Sequence, residues 1–384
     1  MSSAYMNKQT LKPIPLQGRI NAFDFLRTLM IFFVIVLHVS MTYMLDCPFW
    51  WYVVSKKVSP AFLVIVNVLD IFMMPVLFFI SGYFTPASYL RKGTVGFLKD
   101  KIRHILFPWL LGIIVIVPLY SLSLGKSMGD VIGIVKEDSL YLFTWQGHLW
   151  YLGILFLFLF AYALVAYFSP PDSVRTATAS NQKNILLLLA CMVVSAICAC
   201  LSVTCMAPFD DWLYFVSVFT LKPAKAITYL CLFMLGTYAW QTNWFIKGGW
   251  MPRISIWRIL AISTAACYVL LKLCVIPDYD FPLSDKIVPV FDAVCSFTTL
   301  MYALLIGMKL QASRIAGWLI NLSPYSYGIY WIHIPPMILY LHLINDAGFP
   351  IFIKWISGIA ATCFFSLLIS KYVLKKWPLL KDMF

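Results

Sequence analysis

Ten stretches of the chain are apolar almost without interruption, and polar residues collect between them. Read forward, the hydrophobic windows fall at about 24–45, 59–82, 103–124, 149–168, 185–206, 226–240, 254–277, 287–308, 317–343 and 351–374. Apart from the short sixth window, each approaches or exceeds the ~20 residues that a helix needs to cross a bilayer core. The pattern predicts an all-α polytopic membrane protein, with about ten transmembrane helices forming one bundle. Pro324, Pro335 and Pro336 interrupt the ninth window. A span tolerates such prolines where neighbouring helices satisfy the freed backbone groups. The expected organisation is an N-terminal segment 1–23, a transmembrane domain 24–374 and a tail 375–384, with a plain inner linker over 169–184.

Composition then excludes the soluble alternatives. Residues of the AVILMFWYC set make up 62% of the chain and charged residues 12%, against roughly 45–50% and ~25% in a soluble domain. A net charge of +13 would by itself suit nucleic acid. If both termini are cytoplasmic, however, most of the basic residues fall in inner segments, with Arg91, Lys92, Lys99, Lys101 and Arg103 close together. Acidic residues such as Asp130, Asp210, Asp211, Asp278 and Asp280 then fall in outer loops. That asymmetry is the positive-inside signal of a multi-pass protein, so the expected partner is a lipid bilayer and not nucleic acid. The first 23 residues, with Lys8, Lys12 and Arg19, lack the apolar core of a cleaved signal, and the first window reads as an uncleaved anchor. The ten cysteines show no metal-ligand spacing and read as small buried hydrophobes. Aromatic groups at window ends, such as Phe49-Trp50-Trp51-Tyr52, read as an interfacial belt.

Ionisable residues inside the windows carry the candidate chemistry, because each costs about 2.5–3.5 kcal/mol at mid-span. The first window reads Asp24-Phe-Leu-Arg27 and reaches His38 after ten further residues. Eleven steps of about 100° end some 20° past three turns, so Arg27 and His38 share a face about 16 Å apart along the axis. Asp24, three residues before Arg27, can pair with it. Arg27 also fits an interfacial snorkelling arginine, and His38 a hydrogen bond to a neighbouring helix. Ser81-Gly82 in the second window permits a close approach of a helix or ligand, and Asp70 can pair with a cation. Lys101, Arg103 and His104 precede Pro108, where they suit either a topogenic signal or the phosphates of a nucleotide-like ligand. His148 and Trp150 open the fourth window. Ser326, Tyr330 and His333 line the ninth. Lys272 and Asp292 lie near outer ends and are expected to snorkel or pair with each other.

In this order the motifs resemble those of the acyltransferase-3 family of integral membrane acyltransferases. The carrying features are Asp24-x-x-Arg27 with Arg27-x10-His38, Phe78-Phe-Ile-Ser81-Gly82-Tyr-Phe, the basic stretch before Pro108 and His148-Leu-Trp150-Tyr151. Phe233-Met-Leu-Gly236 and Ser326-Tyr-Gly328-Ile-Tyr330-Trp-Ile-His333 complete the set. Within the family, the second-window stretch and His148-Leu-Trp150 look similar to the branch that succinylates periplasmic glucans. One departure is visible: the family's Arg-x-x-Arg pair is represented by Lys101 and His104, with Arg103 between them.

The resemblance implies an enzyme of a bacterial inner membrane that takes an acetyl or succinyl group from cytoplasmic acyl-CoA. The acceptor it implies is a hydroxyl of a carbohydrate or glycolipid, as in polysaccharide O-acetylation. Acyl-CoA is then a co-substrate, and no bound cofactor or metal is expected. His38, Arg27 and Asp24 are the expected catalytic residues; Lys101, Arg103, His104, Ser81 and Gly82 are expected at the donor. His333, Tyr330, His148 and Trp150 are expected to line the acceptor cavity. A transporter with an intramembrane His/Asp relay is the competing class.

Overall fold

The computed structural model describes residues 20–48, 51–123, 127, 129–130, 132, 146–171, 180–215, 219–246, 248–275, 284–378 and 380–384. The N-terminal basic residues, Phe49-Trp50, residues 172–179 of the 169–184 linker and Asp278 and Asp280 lie outside the described residues.

Each apolar window falls on a helix. These are α1 (Asn21–Met41), α2 (Pro60–Lys101), α3 (Phe107–Ser123), α4 (Trp150–Phe168), α5 (Asn181–Cys205) and α6 (Pro223–Gln241). They continue as α7 (Ile254–Val275), α8 (Ser284–Leu310), α9 (Arg314–Ile332), α10 (Ile334–Ile344) and α11 (Ile351–Ile369). Helix starts are chemically marked: Ser59, Ser180 and Ser313 cap α2, α5 and α9 by accepting a backbone N–H from Ala61, Lys183 and Ala316. Among the described residues, seven helical runs are long and apolar enough to cross a membrane. One of them, Pro60–Tyr120, contains two of the sequence windows. At 1.5 Å per residue that run would measure about 90 Å if straight, three times a bilayer core. It turns at Gly93, whose φ of 65° is open only to a residue without a Cβ. The stretch expected to be a short inner loop is therefore helical, and it passes through a π-helical turn at Ile102–Leu106 into α3.

Burial sorts the helices into layers. In α1, 67% of the apolar window is buried, against 17% in α5 and α7 and 22% in α11. α1 packs against α2, α8, α9 and α11 at the centre, while α5 and α7 turn most of their apolar surface outward. α2 and α6 approach until Gly82 faces the Phe233 carbonyl and Gly236 faces the Phe79 carbonyl. A Cβ at either glycine would strike backbone, so the small residues there set the crossing distance.

The ninth window is two helices. Pro335 and Pro336 supply no N–H for the carbonyls one turn earlier, so α9 stops at Ile332 and α10 restarts at Ile334, with His333 at the break. A two-stranded antiparallel hairpin, β1 (Leu213–Phe215) and β2 (Phe219–Leu221), lies between α5 and α6. Gln146 ties it down by donating to the Thr220 hydroxyl at 2.7 Å while accepting from the Trp109 indole at 2.9 Å. Beyond the Ser370–Leu374 turn, the tail packs onto α9, where the Phe384 ring lies 5.1 Å from Trp331 and 5.2 Å from Tyr327.

Candidate active site

The α9–α10 break creates a specific acceptor. In an unbroken helix the N–H of residue 335 would bond the Trp331 carbonyl, but proline has none. His148 Nε2 approaches that carbonyl instead, at 3.3 Å. The same device recurs at the far end of α3, where Pro108 leaves the His104 carbonyl without its α-helical donor. The Tyr327 hydroxyl donates there at 2.8 Å, and the Trp331 indole donates to the Pro108 carbonyl at 2.8 Å.

Three of the five histidines meet around the break. His38 Nδ1 and His333 Nε2 are 2.9 Å apart, and the two rings stack with centroids 5.1 Å apart. The His148 ring stands edge-on to His333 at 4.6 Å. Hydrogen-bond partners assign the protons. His333 Nδ1 lies 2.7 Å from the Tyr330 carbonyl, which can only accept, so Nδ1 carries the hydrogen. Its Nε2 in the neutral ring is then an acceptor, and His38 must donate from Nδ1. His38 Nε2 is left as an unprotonated lone pair. By the same logic His148 donates from Nε2 to Trp331, and its Nδ1 accepts from the Tyr120 hydroxyl at 2.9 Å. Tyr330 closes the ring by donating to the His148 carbonyl.

Trp51 holds His38 from the other side, its ring 5.5 Å away and nearly parallel at 14°. It is buried and donates to the Thr42 hydroxyl at 3.1 Å, so it is not the interfacial belt residue the sequence suggests. Tyr52 likewise turns inward onto Tyr120, with centroids 4.8 Å apart. His38 is one turn from the end of α1 and Arg27 is near its start, so the centre lies toward one face of the bundle.

A polar track leads from the opposite end. Arg27 pairs with Asp24 at 3.3 Å and lies 5.9 Å over the Phe84 ring. Ser81, on α2, shares a 3.2 Å hydrogen bond with the Tyr151 hydroxyl, and the Tyr151 ring lies 5.9 Å from Tyr330. The shared face of α1 thus connects a guanidinium at one end to an imidazole base at the other.

The family model for the acyltransferase domain matches residues 20–372, from the start of α1 to the turn after α11. The chain belongs to the acyltransferase-3 family. It is a membrane acyltransferase, and the transporter class gives way to an enzyme. No curated protein and no solved structure matches the chain.

In this acyltransferase the remaining expected residues lie apart from the histidines. Trp150 turns away to join Phe78, Tyr229 and Trp212. Gly82 faces the α6 backbone. Lys101 and His104 gather around Asp100, at 3.1 Å and 3.3 Å, together with Lys92 at 2.6 Å. Arg103 leaves that group and pairs with Asp382 of the tail at 2.6 Å.

Sequence reasoning missed several partners. Tyr120 and Trp51 sit in runs where tyrosine and tryptophan are ordinary, and nothing local distinguishes them. Lys225, just ahead of the sixth window, bridges Asp70 at 2.6 Å and Asp292 at 3.1 Å. The expected Lys272–Asp292 pair is not formed. Lys272 instead pairs with Asp210, which also holds Lys222 at 3.1 Å. Both α7 and α8 carry one charge at this level, but packing faces each toward a different neighbour.

Proposed function

We propose that this acyltransferase moves an acetyl or succinyl group from cytoplasmic acyl-CoA to a hydroxyl of a carbohydrate or glycolipid. The membrane in this reading is a bacterial inner membrane with both chain termini on the cytoplasmic side. The observation that carries the proposal is the unprotonated Nε2 of His38, fixed by donation from its Nδ1 to His333. That nitrogen accepts the acceptor hydroxyl's proton as the oxygen attacks the thioester carbonyl. When the carbon–sulfur bond breaks, the CoA thiolate takes the proton from the imidazolium. Nothing else is consumed. His333 is a positioning residue: it holds the His38 tautomer and spreads the transient positive charge toward the Tyr330 carbonyl.

Arg27 faces the donor side in this reading. Its guanidinium, about 16 Å along α1 from His38, grips the donor's anionic portion and leaves the extended thioester arm to reach the histidines. Asp24 orients it. Ser81 and Tyr151 line the path, and Arg103 is the basic residue most open to a phosphate, because its pair with Asp382 is about half exposed on both sides whereas the Lys101–Asp100 pair is largely covered. With the termini cytoplasmic, His38 sits toward the periplasmic end of α1, so the acceptor approaches from that side.

The test is transfer from radiolabelled acetyl-CoA or succinyl-CoA by the purified protein to a membrane glycan fraction. Label should appear on glycan with the wild type and be lost with His38→Ala. Near-normal transfer by a folded His38→Ala variant would sink the proposal.

A further inference from the structure

Between the start of α7 and the last turn of α8 lies a half-open cavity of about 280 Å³. Its apolar wall includes Met251, Ile254, Leu305 and Met308, with Lys309 and Gln311 as the polar side chains. Leu305, Met308 and Lys309 fall within an arc of about 100° on α8. Gly307 is about 200° round the helix from Leu305 and packs on Leu26 of α1. The cavity therefore lies on the side of α8 turned away from α1, separate from the Asp24–Arg27 track, although at the same end of the bundle. Both helices that form it end here as apolar runs, Ile254–Leu273 and Lys286–Leu310. That is the level at which a bilayer's hydrocarbon gives way to headgroups. From the cavity, α7 continues with Ile256, Ile259 and Ile262 exposed, so the apolar wall adjoins a surface that faces lipid.

The charge around the cavity has one sign. No Asp or Glu occurs in residues 242–277 or 293–345, the two stretches that bound it, whereas Arg253, Arg258, Lys309 and Arg314 gather at these helix ends. All four are exposed, and none has an ion pair among the described residues. On the neighbouring α1, Asp24 is held by Arg27. Gln311 turns aside to close the end of α8, donating to the Met308 carbonyl at 3.0 Å, and leaves the Lys309 ammonium to meet a ligand. An unpaired ammonium beside an apolar slot at headgroup level complements a phosphate joined to an acyl chain. Methionine walls suit such a chain, because the unbranched thioether adapts to a partner without fixed shape.

We propose that the α7–α8 cavity binds one anionic phospholipid of the bilayer, with its phosphate at Lys309 and an acyl chain along Met251, Leu305 and Met308. The proposal stands apart from the acyl-transfer reading and is measured without any donor. Native mass spectrometry of the delipidated full chain in detergent would titrate three probes: phosphatidylglycerol, phosphatidylcholine with the same palmitoyl and oleoyl chains, and glycerol 1-phosphate, which carries the anion without chains. The first phosphatidylglycerol adduct should form about tenfold more tightly than that of phosphatidylcholine, and glycerol phosphate should give none over the same range. Lys309→Gln should weaken the phosphatidylglycerol adduct about fivefold, the effect of one basic residue at a headgroup, and Lys309→Arg should keep it. Lys371→Gln, which removes an exposed lysine beyond α11, should leave it unchanged. Met251→Trp, at a half-exposed position, should fill the slot and weaken the adduct with no change in charge. Millimolar CoA should not displace the lipid. Equal binding of the two lipids, binding of glycerol phosphate, wild-type affinity in Lys309→Gln or Met251→Trp, an equal loss in Lys371→Gln, or displacement by CoA would overturn the assignment.

Discussion

The Nδ1 atom of His38 lies 2.9 Å from the Nε2 atom of His333, although 295 positions separate the two residues in the chain. The Tyr330 carbonyl makes this contact directional: it takes the His333 Nδ1 hydrogen, and every later proton assignment follows. In the proposed reaction this makes His38 a base of fixed tautomer, held through His333 by a backbone carbonyl.

His333→Ala should therefore lower kcat by about 100-fold or more, since loss of a tautomer-fixing partner is comparably costly in hydrolytic triads. His333→Gln, whose amide oxygen can still accept from His38 Nδ1, should recover part of it. Steady-state kinetics with both substrates reads this as a kcat effect with little change in KM. A residue that mattered only for packing would lower thermal stability and show no rescue by glutamine.

Pro335→Ala restores an N–H one turn beyond the Trp331 carbonyl, where it competes with His148 Nε2. The variant should be more stable by about 1 kcal/mol or more, because a helix-interior proline is worth up to ~3 kcal/mol. Its turnover should nevertheless fall, because His148 loses its acceptor. Thermal unfolding and kcat moving in opposite directions would bear this out; parallel movement would contradict it.

At the other end of α1, Arg27→Ala should raise KM for acyl-CoA about tenfold while leaving acceptor KM unchanged, the loss expected of one charge-assisted contact. Asp24→Asn should act in the same direction and less strongly, since it disturbs Arg27 only through the 3.3 Å pair. Initial rates over a donor–acceptor grid distinguish the two constants.

Lys225→Met strips the cation from two carboxylates, one of them sealed. Breaking a buried pair on one side costs about 3–5 kcal/mol, whereas neutralising both sides is close to neutral. The single variant should unfold well below the wild type in detergent. Adding Asp70→Asn and Asp292→Asn to the same chain should recover most of the melting temperature.

Asp210 introduces a pH dependence. Burial pushes its carboxyl up, but Lys222 and Lys272 outweigh this and hold it well below the usual carboxylate range. A depressed folded value means that the stability is fully present above the unfolded value of about 3.9 and is lost as the pH falls below it. Melting temperature should drop progressively as the pH falls below about 4, and the drop should be shallower in Asp210→Asn.

The fold was legible because its cause is local. A run of apolar residues long enough to cross lipid has to close its own hydrogen bonds, so each window becomes a helix wherever its neighbours lie. The same periodicity placed Asp24, Arg27 and His38 on one side of α1, and Pro335 and Pro336 marked the break in the ninth window, whereas Pro324 is carried inside α9 without interrupting it. Lys272 and Asp292 show where local reasoning ended. Each was visible as a charge near a span end, but their partners, Asp210 and Lys225, depend on which way α7 and α8 are turned.

The histidine centre belongs to that second kind. Composition and spacing singled out His38, His148 and His333 as costly residues in an apolar chain. Only the packing of α1 and α4 against the α9–α10 break decided that they share one set of hydrogen bonds, with Trp51 and Tyr120 in attendance. A helix is determined by bonds four residues apart. A site made of side chains from five segments depends on crossing angles and depths, and no single segment carries that information.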